Sequence, residues 1–113
     1  MTLKCAWIDH EGYNHIELVG ELKERGIRVE PRATLDLFLQ DLDLNDYPVL
    51  LYHPGIRAQH RLREVVERFP HTTVAVIVQS CSREEYQKYD LPILSYNPDE
   101  VAEFVRKNTP EEK

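Results

Sequence analysis

Apolar and polar residues follow one another along the chain in blocks of two kinds. Five short apolar runs, each followed by a segment with helical spacing, are KCAWID, IRVEP, PVLLY, TTVAVIV and LPILSY. The third and fourth runs are nearly continuous in apolar character, whereas IRVEP alternates between apolar and polar residues. Continuous runs are typical of strands covered on both faces, and alternation is typical of an edge strand. The pattern predicts a parallel sheet with the third and fourth strands inside.

The segments between the runs have helix start and stop signals. The first ends at Gly26, a residue favoured just after a helix. The fourth is short and starts with a capping box of Ser82 and Glu85, and the last starts with Asn97 as N-cap and Pro98 in the first turn. The third is the clearest helix, because its apolar residues recur at helical spacing and a proline closes it: Ala58, Leu62, Val65, Val66, Phe69 and Pro70.

Alternating strands and helices of this number define a fold class. They predict an α/β protein with a three-layer, doubly wound, five-stranded parallel sheet in the flavodoxin-like order 2-1-3-4-5. A length of 113 residues fits one domain with one core. We place this domain at residues 1–108 and interpret residues 109–113, TPEEK, as a polar tail or the start of a linker.

Net charge restricts the partners of the chain, and the length of its apolar runs restricts its location. A formal net charge of -6 repels the phosphate backbone, so we expect no direct nucleic-acid partner. The apolar runs are too short to span a bilayer, and the N-terminus MTLKCAWIDHEG lacks the apolar stretch of a signal peptide. We therefore predict a cytoplasmic protein without a membrane partner.

Cysteine spacing and loop composition argue against the common cofactors and structural metals. Cys5 and Cys81 are far apart and neither belongs to a CxxC pair, so we interpret both as reduced thiols. No glycine-rich phosphate loop is present, and the first loop, HEGYNH, does not resemble a flavin-phosphate loop. We predict no cofactor.

The carboxyl edge of the predicted sheet is where a ligand would bind in this fold class. Polar and aromatic residues follow four of the five strands at that edge, after strands one, three, four and five. These are Asp9, His10, Glu11, Tyr52, His53, Gln79, Ser80, Tyr96 and Asn97.

Several phrases of the sequence resemble one known family. AWIDHEG, GIRVEPRAT, YPVLLYHPG and ILSYNPDEV resemble the corresponding segments of bacterial response-regulator receiver domains, also called CheY-like domains. The resemblance implies a pocket at the carboxyl edge with five groups. Two acids after strand one hold Mg²⁺, an aspartate after strand three accepts the phosphoryl group, a Ser or Thr after strand four binds it, and a Lys after strand five pairs with its charge.

This chain departs from that pattern at two of the five groups and at one further aromatic residue. Asp9 and Glu11 correspond to the acids, with His10 between them, and Ser80 is the better match for the Ser or Thr. Tyr52 takes the acceptor position, and neither Tyr52 nor His53 supplies a carboxylate. Tyr96 or Asn97 takes the lysine position, and the aromatic residue often found before that lysine is also missing. The resemblance therefore indicates a degenerate pseudo-receiver that is not an enzyme.

Two interpretations of Tyr52 remain open. The phenol fills the former acceptor pocket and locks the domain in one conformation, or it is an ordinary aromatic side chain packed at a strand end.

The region of helix four, strand five and helix five carries a second candidate site. Tyr86, Tyr89 and Tyr96 cluster there, and tyrosine is favoured in contact surfaces. Either these rings pack the weak fourth helix onto the sheet, or they are exposed and form an interaction face. On the second interpretation the chain is a non-phosphorylatable regulatory module of signal transduction or transcription regulation. It would bind a protein partner or itself, as a homodimer, and it would be free-standing or the N-terminal module of a larger regulator.

An alternative function belongs to a different class. Asp9, Glu11 and His53 are expected at neighbouring strand ends, where they would form a metal-dependent or phosphoryl-transfer site. In the competing interpretation the two acids interact with the positive end of the first helix and the histidines face solvent.

Overall fold

The fold is a five-stranded sheet in which every neighbouring pair of strands is parallel. The computed structural model describes residues 3–9, 16–53, 61–78 and 83–109. The strands are β1 (Leu3–Asp9), β2 (Ile27–Arg32), β3 (Val49–His53), β4 (Thr73–Ile77) and β5 (Ile93–Leu94). They lie in the order β2-β1-β3-β4-β5. The predicted fold class and strand order are confirmed, with β3 and β4 inside and β2 at an edge.

Helices connect the strands and cover both faces of the sheet. They are α1 (Ile16–Glu24), α2 (Leu35–Asp41), α3 (Arg61–Arg68), α4 (Arg83–Tyr86) and α5 (Pro98–Asn108), with 3₁₀ turns at Leu44–Asp46 and Gln87–Tyr89. Ala58, with which the predicted third helix begins, and Ser82, the predicted cap of the fourth, lie outside the described residues. Among the described residues, no helix is long and apolar enough to cross a membrane.

The predicted signals at the helix ends match the geometry. The Asn97 side-chain oxygen accepts hydrogen bonds from the backbone N–H groups of Asp99 (2.9 Å) and Glu100 (3.2 Å), and Pro98 is the first residue of α5. Gly26, which follows α1, has a φ of 82°. This left-handed conformation is strained for other residues and explains why a glycine ends the turn before β2.

Two segments are short. The fourth helix, predicted to be short, is a single α-helical turn continued as a 3₁₀ turn, and Asp90 stops it with a φ of 53°. The fifth strand pairs over Ile93–Leu94, which align with Val76 and Ile77 of β4, so it is shorter than the run LPILSY from which it was predicted.

The sheet separates two apolar layers, because successive side chains of a strand point to opposite faces. Residues of one layer pack with α2, α3 and α4, and residues of the other pack with α1 and α5. On the strands, the first layer contains Ala6, Ile8, Leu50, Tyr52, Val74 and Val76, and the second contains Cys5, Trp7, Val49, Leu51, Ala75 and Ile77. This alternation decides which side chains meet at the carboxyl edge.

Candidate functional site

A buried carboxyl group lies at the end of β1. Asp9 is the last residue of that strand and is only 1% exposed. Its Oδ2 atom accepts a hydrogen bond from the Tyr96 hydroxyl at 3.1 Å and a longer one from the indole Nε1 of Trp7 at 3.4 Å. These donors offset part of the cost of removing the polar group from water. The carboxyl group is thus held inside the protein rather than presented at an open edge.

His53 lies beside Asp9 at the end of β3. The two residues are directly paired in the β1–β3 register. The Nδ1 atom of His53 is 3.0 Å from the carbonyl oxygen of Ile77 in β4. Because a carbonyl oxygen only accepts hydrogen bonds, Nδ1 carries the proton and donates. This bond orients the imidazole ring above the junction of three strands.

Aromatic rings, among them that of His53, lie close together near Asp9. The Trp7 and Tyr96 rings are stacked with centroids 6.3 Å apart, and the His53 ring lies 6.4 Å from that of Tyr86 and 6.5 Å from that of Tyr96. We call Trp7, His53, Tyr86 and Tyr96 the aromatic cluster. Aromatic contacts at these separations stabilise a defined packing arrangement. The cluster therefore fixes the surroundings of Asp9 from β1, β3, α4 and the segment after β5.

Tyr52 lies on the other face of the sheet. It pairs with Ile8 in the register, one position before the pairing of Asp9 with His53. Its side chain is 2% exposed and belongs to the layer that packs with α2 and α3. Burial raises the pKa of the Tyr52 hydroxyl to about 12. This burial agrees with the interpretation of Tyr52 as an aromatic side chain packed at a strand end.

The two candidates for the lysine position have separate roles. Asn97 caps α5 through its side-chain oxygen, whereas the Tyr96 hydroxyl reaches Asp9 across the sheet. Tyr96 is therefore the residue of this segment that contacts the acid after β1. His10, Glu11 and Ser80, the other predicted pocket residues, lie outside the described part of the chain.

One of the three tyrosines of the predicted interaction face is buried. Tyr86 is 2% exposed and packs in the layer between the sheet and α3, so its ring is not available for a partner in this conformation. Tyr89 and Tyr96 are half-buried. Packing of the fourth helix onto the sheet, one of the two alternatives, accounts for Tyr86, because a helix of one turn needs a buried anchor.

The structure describes two of the three residues of the predicted metal site. Asp9 and His53 lie together, but Glu11 falls outside the described residues. Within residues 3–9, 16–53, 61–78 and 83–109, no group of three or more His, Cys, Asp or Glu side chains has the arrangement to hold a metal ion. Of the predicted site, the described residues include Asp9 and His53, which are paired in the register of β1 and β3.

Trp7 also belongs to the site, although its place in the sequence did not predict this. Its indole donates to Asp9, and its ring stacks on Tyr96. A signal was present, since residues i and i+2 of a strand share a face and Trp7 lies two positions before Asp9. The apolar character of the run KCAWID indicated only a core position.

Comparisons with known proteins give a result at the level of structure only. No protein-family model matches the sequence, and no curated protein matches it either.

Solved structures of response regulators have the same fold. A response regulator from Thermotoga maritima matches with a TM-score of 0.68 and 19% identity, over 95% of this chain and 97% of that one. Response regulator TrrA from the same organism, solved with Mg²⁺-BeF, matches with a TM-score of 0.71 and 18% identity, over 96% and 100%. The BeF3-activated DrrB receiver domain gives 0.66 and 21%, over 95% and 97%. The chain therefore has the fold of response-regulator receiver domains.

Proposed function

We propose that this chain is a receiver-like regulatory domain that works without aspartyl phosphorylation and acts through protein contacts. Its role would be in signal transduction or transcription regulation, either as a free-standing module or as the N-terminal module of a larger regulator. It requires no enzymatic activity and no cofactor.

The observation that carries this proposal is the enclosure of Asp9. A receiver that binds Mg²⁺ needs the acids after β1 to face an open edge, where the ion keeps several waters. Here Asp9 is buried, and one of its oxygens accepts a hydrogen bond from the hydroxyl of Tyr96, a candidate for the position at which receivers have a lysine. The arrangement supports a pocket that is closed by side chains rather than by a phosphoryl group.

The position of Tyr52 supports the same conclusion. A phenol with a pKa of about 12 stays protonated at neutral pH and is a poor nucleophile. Its packing beneath α2 and α3 also places its ring away from Asp9 and His53. This side chain offers no substitute for an acceptor carboxylate.

Contact with partners would use the surface between α4 and α5. Tyr89 and Tyr96 keep part of their rings exposed there. Partly exposed tyrosines contribute apolar area and a hydroxyl to the same contact, which suits a protein partner.

The test is incubation with Mg²⁺ and acetyl phosphate, followed by intact-protein mass spectrometry. A response-regulator receiver that keeps its aspartate is the positive control. We expect no phosphoryl adduct on this chain under conditions that fully label the control. An adduct on the wild type that is lost in Asp9→Asn would overturn the proposal, because the carboxyl group would then be the acceptor.

A second candidate function rests on the pairing of Asp9 with His53. These two side chains are the described members of the predicted metal-dependent or phosphoryl-transfer site. An amide NMR titration with Mg²⁺ and then Zn²⁺ tests it. Saturable shifts around both residues that are absent in His53→Ala would favour this function, and unchanged spectra at millimolar metal would exclude it.

A further inference from the structure

A shallow apolar groove lies beside α3 and the short fourth helix. Its volume is about 190 Å³, and its walls come from α3 and from the segment that leads into β5. The lining residues are Leu62, Arg63, Val66, Glu67, Tyr89 and Leu91. We call this feature the α3 groove. The turn after α4 ends at Asp90, and the residues on either side of Asp90, Tyr89 and Leu91, line the groove.

Val66 is the apolar centre of the α3 groove. It is 38% exposed, one of two large apolar side chains with high exposure among the described residues. Leu62 forms a buried floor, and Tyr89 and Leu91 are half-buried walls. An exposed apolar centre between partly covered apolar walls is typical of a contact surface. Its small size indicates a weak and reversible contact rather than an obligate one.

Two opposite charges border this apolar centre. Arg63 and Glu67 are both exposed and lie one helical turn apart on α3. In the described part of the chain neither of them forms an ion pair, whereas Arg61 on the same helix pairs with Asp36 at 3.0 Å and with Glu64 at 3.1 Å. The charges that border the groove are thus available to a partner.

The order of these residues makes the surface complementary to itself. When two copies of α3 pack antiparallel about a two-fold axis, Arg63 of each copy lies opposite Glu67 of the other. The two Val66 side chains then meet near the axis. A contact of this kind uses the same patch on both subunits, as closed dimers do. A basic or acidic partner would satisfy only one of the two charges.

We propose that the α3 groove is the contact surface for a second copy of this chain, in a weak homodimer held by paired Val66 side chains and two Arg63–Glu67 ion pairs. This adds a second contact surface to the one proposed above between α4 and α5, and it rests on the proposed protein-binding role for its functional meaning. The phosphodonor experiment measures phosphorylation and the experiment below measures self-association, so either proposal can fail without the other.

Charge reversal at the groove gives a sharp test. In Arg63→Glu and in Glu67→Arg, like charges face each other across the axis, and we expect the dimer dissociation constant of each to rise about tenfold or more. The double variant Arg63→Glu/Glu67→Arg restores both ion pairs and should associate like the wild type. Sedimentation velocity over a range of protein concentrations measures all four proteins.

A mixture of the two single variants distinguishes self-contact from other causes. One variant then carries two acids at the groove and the other two arginines, so they should form a heterodimer although neither self-associates. Val66→Asp should abolish association, and Leu37→Asp, at the other exposed apolar side chain, should leave it unchanged. Circular dichroism checks that each surface variant is folded.

Two results would overturn the proposal. The first is a wild type that stays monomeric up to about 1 mM, a concentration at which even a weak dimer with a millimolar dissociation constant is substantially populated. The second is a mixture of the single variants that does not associate while the wild type does, since the dimer would then use another surface.

Discussion

At the scale of single residues, the buried carboxyl group of Asp9 determines the character of the site. A polar group that is 1% exposed needs hydrogen-bond donors, and Trp7 and Tyr96 supply two of them. Among the described residues no buried side-chain nitrogen or oxygen lacks a hydrogen-bond partner. Removal of one donor is therefore a direct measure of how strongly the site is held.

Tyr96→Phe removes the hydroxyl that donates to Asp9 and keeps the ring. We expect the free energy of unfolding to fall by about 1 to 3 kcal/mol, the cost of leaving a buried acceptor with one donor fewer. Urea unfolding measures this change. The emission of Trp7 should also shift, because its indole shares the acceptor and stacks on the same ring. It is the only tryptophan, so the signal is unambiguous.

The control for this variant is Tyr47→Phe at the other end of β3. Tyr47 is also a largely buried residue, but its hydroxyl forms no hydrogen bond with the described residues, and since no buried side-chain oxygen among them lacks a partner, this hydroxyl reaches solvent. The urea midpoint and the tryptophan emission of this control should stay close to those of the wild type. Equal effects of the two substitutions would show that the Tyr96–Asp9 bond contributes nothing specific.

Cys5 in the middle of β1 gives a pH dependence of stability. Burial raises the pKa of its thiol from 9.0 to about 12. Above pH 9.0 the unfolded chain loses this proton while the folded chain keeps it, so ionisation favours unfolding. Stability is thus complete below that pH and declines as the pH rises toward 12, by up to about 1.4 kcal/mol per pH unit.

Urea unfolding between pH 9 and 10 emphasises this effect, because Tyr47 and Tyr52, whose pKa values are also raised in the folded chain, have a pKa of 10.0 when unfolded and contribute mainly above it. Cys5→Ala should have a flatter pH profile in this range, although the cavity lowers its stability at pH 7. Parallel profiles for the two proteins would mean that the thiol ionises in the folded chain as easily as in the unfolded one.

At the scale of secondary-structure elements, signals at helix ends were more informative than apolar content. Asn97 and Pro98 located the start of α5, and Gly26 located the turn after α1. The extent of the fifth strand was overestimated from its apolar run, since packing rather than local preference decides how far such a short element extends. Local rules thus set boundaries best where a specific backbone geometry demands a specific residue.

Two glycines of the same region allow a matched test of this argument. Gly26→Ala places a side chain at a φ of 82° and should lower the free energy of unfolding by about 1 to 2 kcal/mol. Gly20→Ala, inside α1 with no atom within 4 Å of the added carbon, should raise it by about 0.5 to 1 kcal/mol. Urea unfolding of both variants gives the two signs. Two changes of the same sign would show that backbone conformation is not the cause.

At the scale of the whole molecule, the topology was predictable and the content of the site was only partly so. Apolar runs and their order are sufficient to define a parallel sheet with two edges, and the carboxyl edge follows from it. The sequence also placed Asp9, His53 and Tyr96 at that edge. It did not show that Tyr96 bonds Asp9 or that Tyr52 faces the other layer, because those outcomes depend on register and on which face each side chain occupies.

The hydrogen bond between Tyr96 and Asp9 also has a consequence for the order in which the protein is completed during synthesis. It joins residues 87 positions apart, and its acceptor is made first. While the ribosome adds the intervening chain, the carboxyl group lacks the hydrogen bond that Tyr96 supplies. The site is complete only after the segment that follows β5 has emerged, so any fragment that ends before Tyr96 lacks this bond.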